Sequence, residues 1–103
     1  MADTAALTAA QIGQHLSELP EWQVVQREGV QRLERTFKFR NFARPLAFTN
    51  QVGELAEREN HHPAILLRWG AATVSWWTHS AGGITENDFA MAARCDSLFA
   101  EMK

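Results

Sequence analysis

The chain has 103 residues, of which 46% are hydrophobic, and a formal net charge of −2 at pH 7, which suits one domain with one modest core. Its charged residues are spread along the chain, so the sequence lacks the clustered basic face that non-specific nucleic-acid binding needs. The single cysteine, Cys95, excludes an internal disulfide, and no apolar run reaches the roughly 18 residues of a membrane span.

The N-terminal segment has no basic start followed by an apolar run, as a signal peptide would have, so we expect a small soluble protein of the cytoplasm. Residues 1–7 are rich in alanine and unpatterned, and we expect them to be loosely ordered. Thr8 and Gln11 form a capping box, in which a hydroxyl is followed three residues later by an amide. This box predicts a short helix over 9–18.

Residues 22–40 predict a β-hairpin. Leu33, Phe37 and Phe39 alternate with charged side chains in the second half of this segment, and a period of two indicates a half-buried strand. The pair at 28–29 is Glu-Gly, which is a turn signal between two strand-like runs.

A long amphipathic helix is predicted over 42–59. Phe48, Val52 and Leu55 recur there at helical spacing, which places them on one apolar face. The helix must end before Pro63, because the residue that precedes a proline is driven out of the α region.

A second strand pair is predicted over 64–69 and 72–78. After a glycine-containing loop, Thr85 and Asp88 form another capping box, which begins the last helix. The apolar stripe of that helix consists of Phe89, Ala92, Cys95, Phe99 and Met102.

These elements follow one another in the order α-β-β-α-β-β-α. Paired hairpins with helices between them predict an α+β fold: a single domain over 1–103, with a four-stranded antiparallel sheet and helices packed on one face. The opposite face of the sheet is expected to carry Trp77 together with arginine and glutamine side chains.

Two adjacent histidines, His61 and His62, lie where the long helix ends. Imidazoles normally titrate near neutral pH, and the ends of elements are where sites are usually built. Both rings reach one site only if the helix unwinds between them, which Pro63 encourages. The alternative is a pair of exposed residues at a helix C-terminus, where the helix dipole favours protonated histidine.

His79 is a third imidazole, at the end of a predicted strand and beside a glycine-rich loop; the alternative is an exposed strand-end residue. Three histidines could hold zinc, but no His-x-His or His-Glu-x-x-His spacing is present, so a metal site is the weaker hypothesis. Cys95 lies on an apolar helix stripe, and we interpret it as a core residue rather than a nucleophile.

Asp88 and Glu57 are the two carboxylates considered together with these histidines. Asp88 is interpreted first as a helix cap. Glu57 lies one turn before His61, where it either orients that ring or faces solvent. Three tryptophans are interpreted as core or interface rather than as platforms for a ligand: Trp22, Trp69 and Trp76.

Together these residues resemble the signature of the pterin-4a-carbinolamine dehydratases. The pattern is Glu57-x-x-x-His61-His62-Pro63, then Trp69 after five residues, His79 after nine more and Asp88 after a further eight. The flanks agree, with Trp22 after a proline turn and Thr78 directly before His79. The resemblance covers about residues 7–102.

The resemblance implies an enzyme that dehydrates 4a-hydroxytetrahydropterin, the product left by an aromatic amino acid hydroxylase, to quinonoid dihydropterin. It also implies that the enzyme needs no metal or organic cofactor, that it forms a homodimer or homotetramer, and that its sheet carries helices on one side. We expect a pterin as its small-molecule partner, with no direct binding to nucleic acid or membrane.

By the resemblance, His61 is the principal acid–base residue, His79 is a second imidazole at the same pterin, and His62 binds substrate. The residues that line or support the pocket are Glu57, Asn60, Pro63, Trp22, Thr78 and Asp88. Loss of water needs one proton delivered to the leaving hydroxyl and one removed from N5, which groups with a pKa near the operating pH do best. The assignment of protons among the three histidines stays open.

Three positions depart from the family pattern. Asn60 stands where many members have aspartate, Ser80 where an acidic or amide residue is frequent, and Asn87 where some members have arginine. These changes bear on substrate affinity and pH optimum rather than on the reaction class.

A different class of function is the alternative. The scaffold of this family also serves proteins that bind partners, as dimerisation cofactors of transcription factors or as assembly factors for other enzymes. Trp77 and the arginines of the first hairpin could build such an interface.

Overall fold

The computed structural model describes residues 5–102, in which three helices and four strands follow one another in the predicted order. They are α1 (Ala9–Leu16), β1 (Gln23–Arg27), β2 (Val30–Lys38), α2 (Ala43–Glu59), β3 (Ala64–Arg68), β4 (Ala71–Trp76) and α3 (Glu86–Glu101). A short 3-10 turn, His79–Ala81, precedes α3. Within residues 5–102, none of the helices has the length and apolar character needed to cross a membrane.

The four strands form one antiparallel sheet in the order β1-β2-β4-β3. The two hairpins meet along β2 and β4, where Leu33 lies opposite Trp76 and Phe37 lies opposite Ala72. All four of these residues are fully buried, because α2 and α3 cover that face. The predicted α+β fold is therefore confirmed.

Phe37 joins the sheet to both long helices. Its ring centroid lies 4.6 Å from that of Phe48 on α2 and 5.1 Å from that of Phe99 on α3. Aromatic pairs at such distances add about 0.5–1.5 kcal/mol beyond the burial of their area. This aromatic group packs the first half of α2 and the last turn of α3 against the sheet.

The opposite face of the sheet carries polar and cationic side chains. The Arg32 guanidinium lies 3.8 Å from the centroid of the Trp77 ring, in keeping with the expected placement of Trp77. Glu34 is only 8% exposed, and it accepts hydrogen bonds from Ser75 at 2.7 Å and Arg27 at 2.8 Å. Strand alternation did not predict this buried carboxylate, because a period of two assigns the whole face to solvent.

The chain before α1 is hydrogen-bonded to the loop that precedes α3. The backbone N–H of Leu7 donates to the carbonyl of Ile84 at 2.8 Å, and the Leu7 side chain packs against the core. The loose N-terminus predicted over 1–7 is thus corrected at Leu7, while its first four residues lie outside the described range.

Cys95 belongs to the core of the protein, as its place on the α3 stripe predicted. It is fully buried, and burial raises the pKa of the Cys95 thiol to about 12. Because thiolate is the reactive form of cysteine, we expect no reaction of the folded protein with a thiol reagent at pH 8. Reaction should appear on unfolding in urea, and rapid labelling of the folded protein would contradict this burial.

The same raised pKa predicts an alkaline loss of stability. Below pH 9, the ordinary thiol pKa, Cys95 is protonated in both the folded and the unfolded state, and its contribution to the free energy of unfolding is fully present. Between pH 9 and about pH 12 only the unfolded chain releases the proton, so the folded state loses stability. Urea unfolding at pH 8 and pH 10.5 checks this, with Cys95→Ala as the variant in which the alkaline decline becomes shallower.

Candidate active site

The helix α2 ends at a residue in the left-handed conformation. Asn60, directly after α2, has φ 52° and ψ 43°, and the N–H of His61 donates to the carbonyl of Ala56 at 3.1 Å. The helix was predicted over 42–59 and ends at Glu59 as predicted, but the left-handed residue Asn60, rather than Pro63, ends it. Both histidines therefore lie outside the helix, on a chain that has changed direction.

Asn60 should tolerate glycine better than alanine. The αL region costs a residue with a Cβ about 1–2 kcal/mol, while asparagine and glycine visit it routinely. For a domain of this size, each kcal/mol of lost stability lowers the melting temperature by about 4–8 °C, so we expect Asn60→Ala to lower it measurably. Asn60→Gly should leave the melting temperature nearly unchanged. Thermal unfolding of both variants checks this, and equal melting temperatures would count against the conformational explanation.

His61 is held on two sides. Its ring stacks on Trp76, with centroids 5.5 Å apart and planes at 11°, and its Nε2 lies 2.5 Å from Oδ1 of Asp88. The side chain is 13% exposed, so a small part of it remains accessible. The end of α2, the end of β4 and the start of α3 thus converge on one imidazole.

Asp88 is fully buried and serves two elements at once. Its Oδ2 accepts the backbone N–H of Thr85 at 2.8 Å, which closes the predicted capping box, and it also accepts the hydroxyl of Thr78 at 2.9 Å. Its Oδ1 faces His61. Capping and support of a histidine are therefore both roles of the same side chain.

His62 points to a different partner. Its Nε2 lies 2.6 Å from Oε2 of Glu57, and the two side chains are 55% and 78% exposed. Glu57 was considered as a residue that orients His61, but its hydrogen bond goes to His62. The two adjacent histidines therefore differ in burial: one is anchored to a buried carboxylate, and the other pairs with a carboxylate at the surface.

His79 lies in the 3-10 turn after β4 and is exposed. The predicted strand over 72–78 ends earlier, at Trp76, because the N–H of Thr78 donates to the carbonyl of Gly83 at 2.8 Å and closes a local loop. Within residues 5–102 the His79 ring makes no hydrogen bond or ion pair. Its position directly after Thr78 places it at the same end of the sheet as the Asp88 network.

Trp22 lies in the core rather than beside His61. It is 4% exposed, and its indole N–H donates to Oδ1 of Asp96 on α3 at 2.8 Å. Arg35 donates to the same oxygen at 2.7 Å. These contacts attach the start of β1 to the middle of α3, and the assignment of Trp22 to a substrate pocket stays a prediction.

Two members of the His61 network were not assigned to a site from the sequence. Trp76 was interpreted as core or interface, and Thr85 only as a cap. Strand alternation offered one usable signal, since Trp76 faces the helices and lies near the strand end where α2 terminates. Among residues 5–102, no three His, Cys, Asp or Glu side chains are grouped so that they could hold a metal ion.

Comparison with known proteins is consistent with this geometry. Residues 5–98 match the family model described as pterin 4 alpha carbinolamine dehydratase. A protein of Marinobacter nauticus, which carries that enzyme name provisionally, is 53% identical over 98 residues, covering 95% of this chain and 88% of the relative. A provisionally named relative from Chlorobium limicola is 58% identical over 92 residues, covering 89% and 81%.

A solved structure has the same fold. The chain described as a transcriptional coactivator/pterin dehydratase from Brucella melitensis superposes with a TM-score of 0.81 at 31% sequence identity. The match covers 90% of this chain and 97% of that one. The similarity in fold therefore extends over most of this chain.

Proposed function

The chain belongs to the pterin 4 alpha carbinolamine dehydratase family, and from this premise we propose that it converts 4a-hydroxytetrahydropterin to quinonoid dihydropterin and water. The observation that supports this most is the 2.5 Å contact between His61 Nε2 and the buried carboxylate of Asp88. A partly exposed imidazole held in one orientation is suited to general acid–base catalysis, which typically contributes about 10²–10⁴-fold.

The reaction needs proton transfer at two atoms and no change of oxidation state. The C4a–O bond breaks and the hydroxyl takes up a proton, so that it leaves as water. The N5–H bond breaks, and its electron pair becomes the C4a=N5 double bond. One group must therefore give a proton and another must take one, and after each turnover the two exchange protons with water.

We assign the proton transfers to His61 and His79. His61 is fixed by Asp88 and Trp76, whereas His79 is exposed on the neighbouring turn, at the same end of the sheet. His62, paired with Glu57, is assigned to substrate binding as the third histidine of the site. The supporting residues of the proposed pocket are Asn60, Pro63, Trp22 and Thr78. We also propose a homo-oligomer in the cytoplasm.

A kinetic assay tests the proposal directly. Freshly generated 4a-hydroxytetrahydropterin dehydrates spontaneously, so the wild-type protein is added at increasing concentration and the rate above the uncatalysed one is measured. We expect the excess rate to grow in proportion to protein concentration and to saturate with substrate. A rate equal to the uncatalysed one at all protein concentrations would contradict the proposal.

A role as an interaction module is the second candidate. Two large apolar side chains are strongly exposed on or directly after β3, Leu66 at 60% and Trp69 at 69%, and they are available to contact a partner. The similar Brucella melitensis protein is described as both a transcriptional coactivator and a pterin dehydratase. Affinity capture with the wild type and with Trp69→Ser tests this: recovery of the protein's own oligomer alone, from both, would count against it.

A further inference from the structure

We infer that Thr78 and Thr85 are positioning residues, which act through Asp88 to hold the His61 imidazole in the tautomer that carries its proton on Nε2. The catalytic consequence of this arrangement rests on the proposed function. The tautomer itself rests on the geometry alone and can be observed without substrate.

The hydrogen atoms of the two threonines can be counted. The Thr78 hydroxyl oxygen lies 2.9 Å from Oδ2 of Asp88 and 2.8 Å from the Thr85 hydroxyl oxygen, which is itself 3.3 Å from Oδ2. Each hydroxyl has one hydrogen to donate. If each hydrogen is placed along the shorter distances, the Thr85 hydroxyl donates to the Thr78 hydroxyl, and the Thr78 hydroxyl donates to Oδ2 of Asp88.

Burial makes this arrangement obligatory rather than optional. Thr78 is 7% exposed, Thr85 is 1% exposed and Asp88 is 0% exposed, so water is a poor substitute for any partner. The backbone N–H of Thr85 donates to the same Oδ2 at 2.8 Å. Oδ2 is therefore occupied by two donors, and Oδ1 is the oxygen left for His61.

The direction of the last hydrogen bond follows from the chemistry of the carboxylate. An ionised carboxylate only accepts hydrogen bonds, so across the 2.5 Å contact it is Nε2 of His61 that donates to Oδ1 of Asp88. In a neutral imidazole one nitrogen carries the proton and the other offers a lone pair. Nδ1 makes no hydrogen bond within residues 5–102 and is the nitrogen left to receive a substrate proton.

A purely structural role would not require all of these contacts. The capping box needs only Thr85 and Asp88. The hydroxyl of Thr78 comes from the chain after β4 and adds nothing to the cap, yet it donates to the carboxylate that faces His61. Thr78 is therefore the residue at which positioning and capping can be separated.

The test observes the ring nitrogens of His61 by NMR in protein labelled with ¹⁵N-histidine, at a pH where the ring is neutral. We expect the Nε2–H tautomer in the wild type, and a mixture of tautomers in Thr78→Val. In the dehydration assay kcat of Thr78→Val should fall about tenfold with KM unchanged. Thr78→Ser, which restores the hydroxyl, should recover both the spectrum and kcat.

The chain offers a matched control for this substitution. Thr36 and Thr73 form another pair of hydroxyls at 2.8 Å, on β2 and β4 but on the exposed side of the sheet. Thr73→Val removes a hydroxyl from such a pair without touching Asp88, so it should leave the tautomer and kcat unchanged. If Thr78→Val does not fold, Thr85→Val provides the test, because it keeps the backbone N–H bond and should shift the tautomer more weakly.

Two results would overturn the inference: a wild-type His61 protonated on Nδ1, or a folded Thr78→Val with an unaltered tautomer. Neither depends on catalysis. If the wild type lacks dehydratase activity but shows the expected tautomer and its loss in Thr78→Val, the proposed function fails and the positioning role stands. If activity is present and the tautomer does not respond, the positioning role fails alone.

Discussion

His61→Gln removes most of the rate acceleration, by about 10²–10⁴-fold, because glutamine cannot exchange a proton near neutral pH. Its amide N–H can still donate to Asp88, the partner of His61 Nε2 at 2.5 Å, so the fold is expected to survive. The measurement is the dehydration rate above the uncatalysed one, at saturating substrate, with circular dichroism as the check on folding.

His15→Gln is the matched control for that variant. His15 stacks on Phe89 with ring centroids 4.8 Å apart, and it lies on α1, outside the His61 network. The control should keep wild-type kinetics. Full activity in His61→Gln would mean that another residue carries the proton transfer, and equal losses in both variants would point to damage to the fold instead.

Asp88→Ala is expected to cause the largest loss of stability, about 3–5 kcal/mol. The substitution leaves the Thr85 N–H, the Thr78 hydroxyl and the His61 Nε2–H without their acceptor in a buried position, and each unsatisfied buried group costs about 1–3 kcal/mol. Since small domains are stable by about 5–15 kcal/mol in total, the change is severe. Urea unfolding measures it.

Asp96→Ala is the control for Asp88→Ala, because it also replaces an aspartate of α3 by alanine, at a less buried position. Asp96 accepts from Trp22 and Arg35, but its side chain is 27% exposed, so water can replace the lost acceptor. We therefore expect a smaller loss of stability. An Asp96→Ala variant as unstable as Asp88→Ala would contradict the account of Asp88 as the buried hub.

Asp88→Asn keeps the shape of the side chain but removes its negative charge, so it separates the effects of the two. The amide oxygen can accept from Thr85 and Thr78, so most of the stability should remain. Its NH₂ group would then face Nε2 of His61 and favour the tautomer with the proton on Nδ1. We therefore expect a folded protein with strongly reduced kcat; wild-type kcat in this variant would contradict the role given to the His61 tautomer.

Local patterns were sufficient for most of the fold. The capping box at Thr8 and Gln11 formed as predicted, and the residues predicted for the inner face of α2, among them Phe48 and Val52, are buried. Periodicity and capping act between residues close in the chain, so a single sequence contains the relevant interactions. Boundaries were less well predicted, as at β4, where a loop hydrogen bond from Thr78 to Gly83 ended the strand.

Periodicity and capping patterns could not predict which side chains pair across the fold. Glu57 is four residues before His61 and was considered its partner, but it bonds to His62. The helix ends at Asn60 before either histidine, so helical spacing no longer governs which side chains meet. The buried pair of Glu34 and Ser75 was missed for a related reason, because it joins neighbouring strands that are 41 residues apart in the chain.

The sequence by itself determined the order of elements, the α+β class and, through the spacing of His61, His79 and Asp88, the family. Only the tertiary structure decided that Oδ1 of Asp88 binds His61 while Oδ2 binds Thr78 and Thr85. The physical reason is that a carboxylate distributes its hydrogen bonds among whichever donors packing brings to it. Here those donors come from three elements that only the folded sheet and helices bring together.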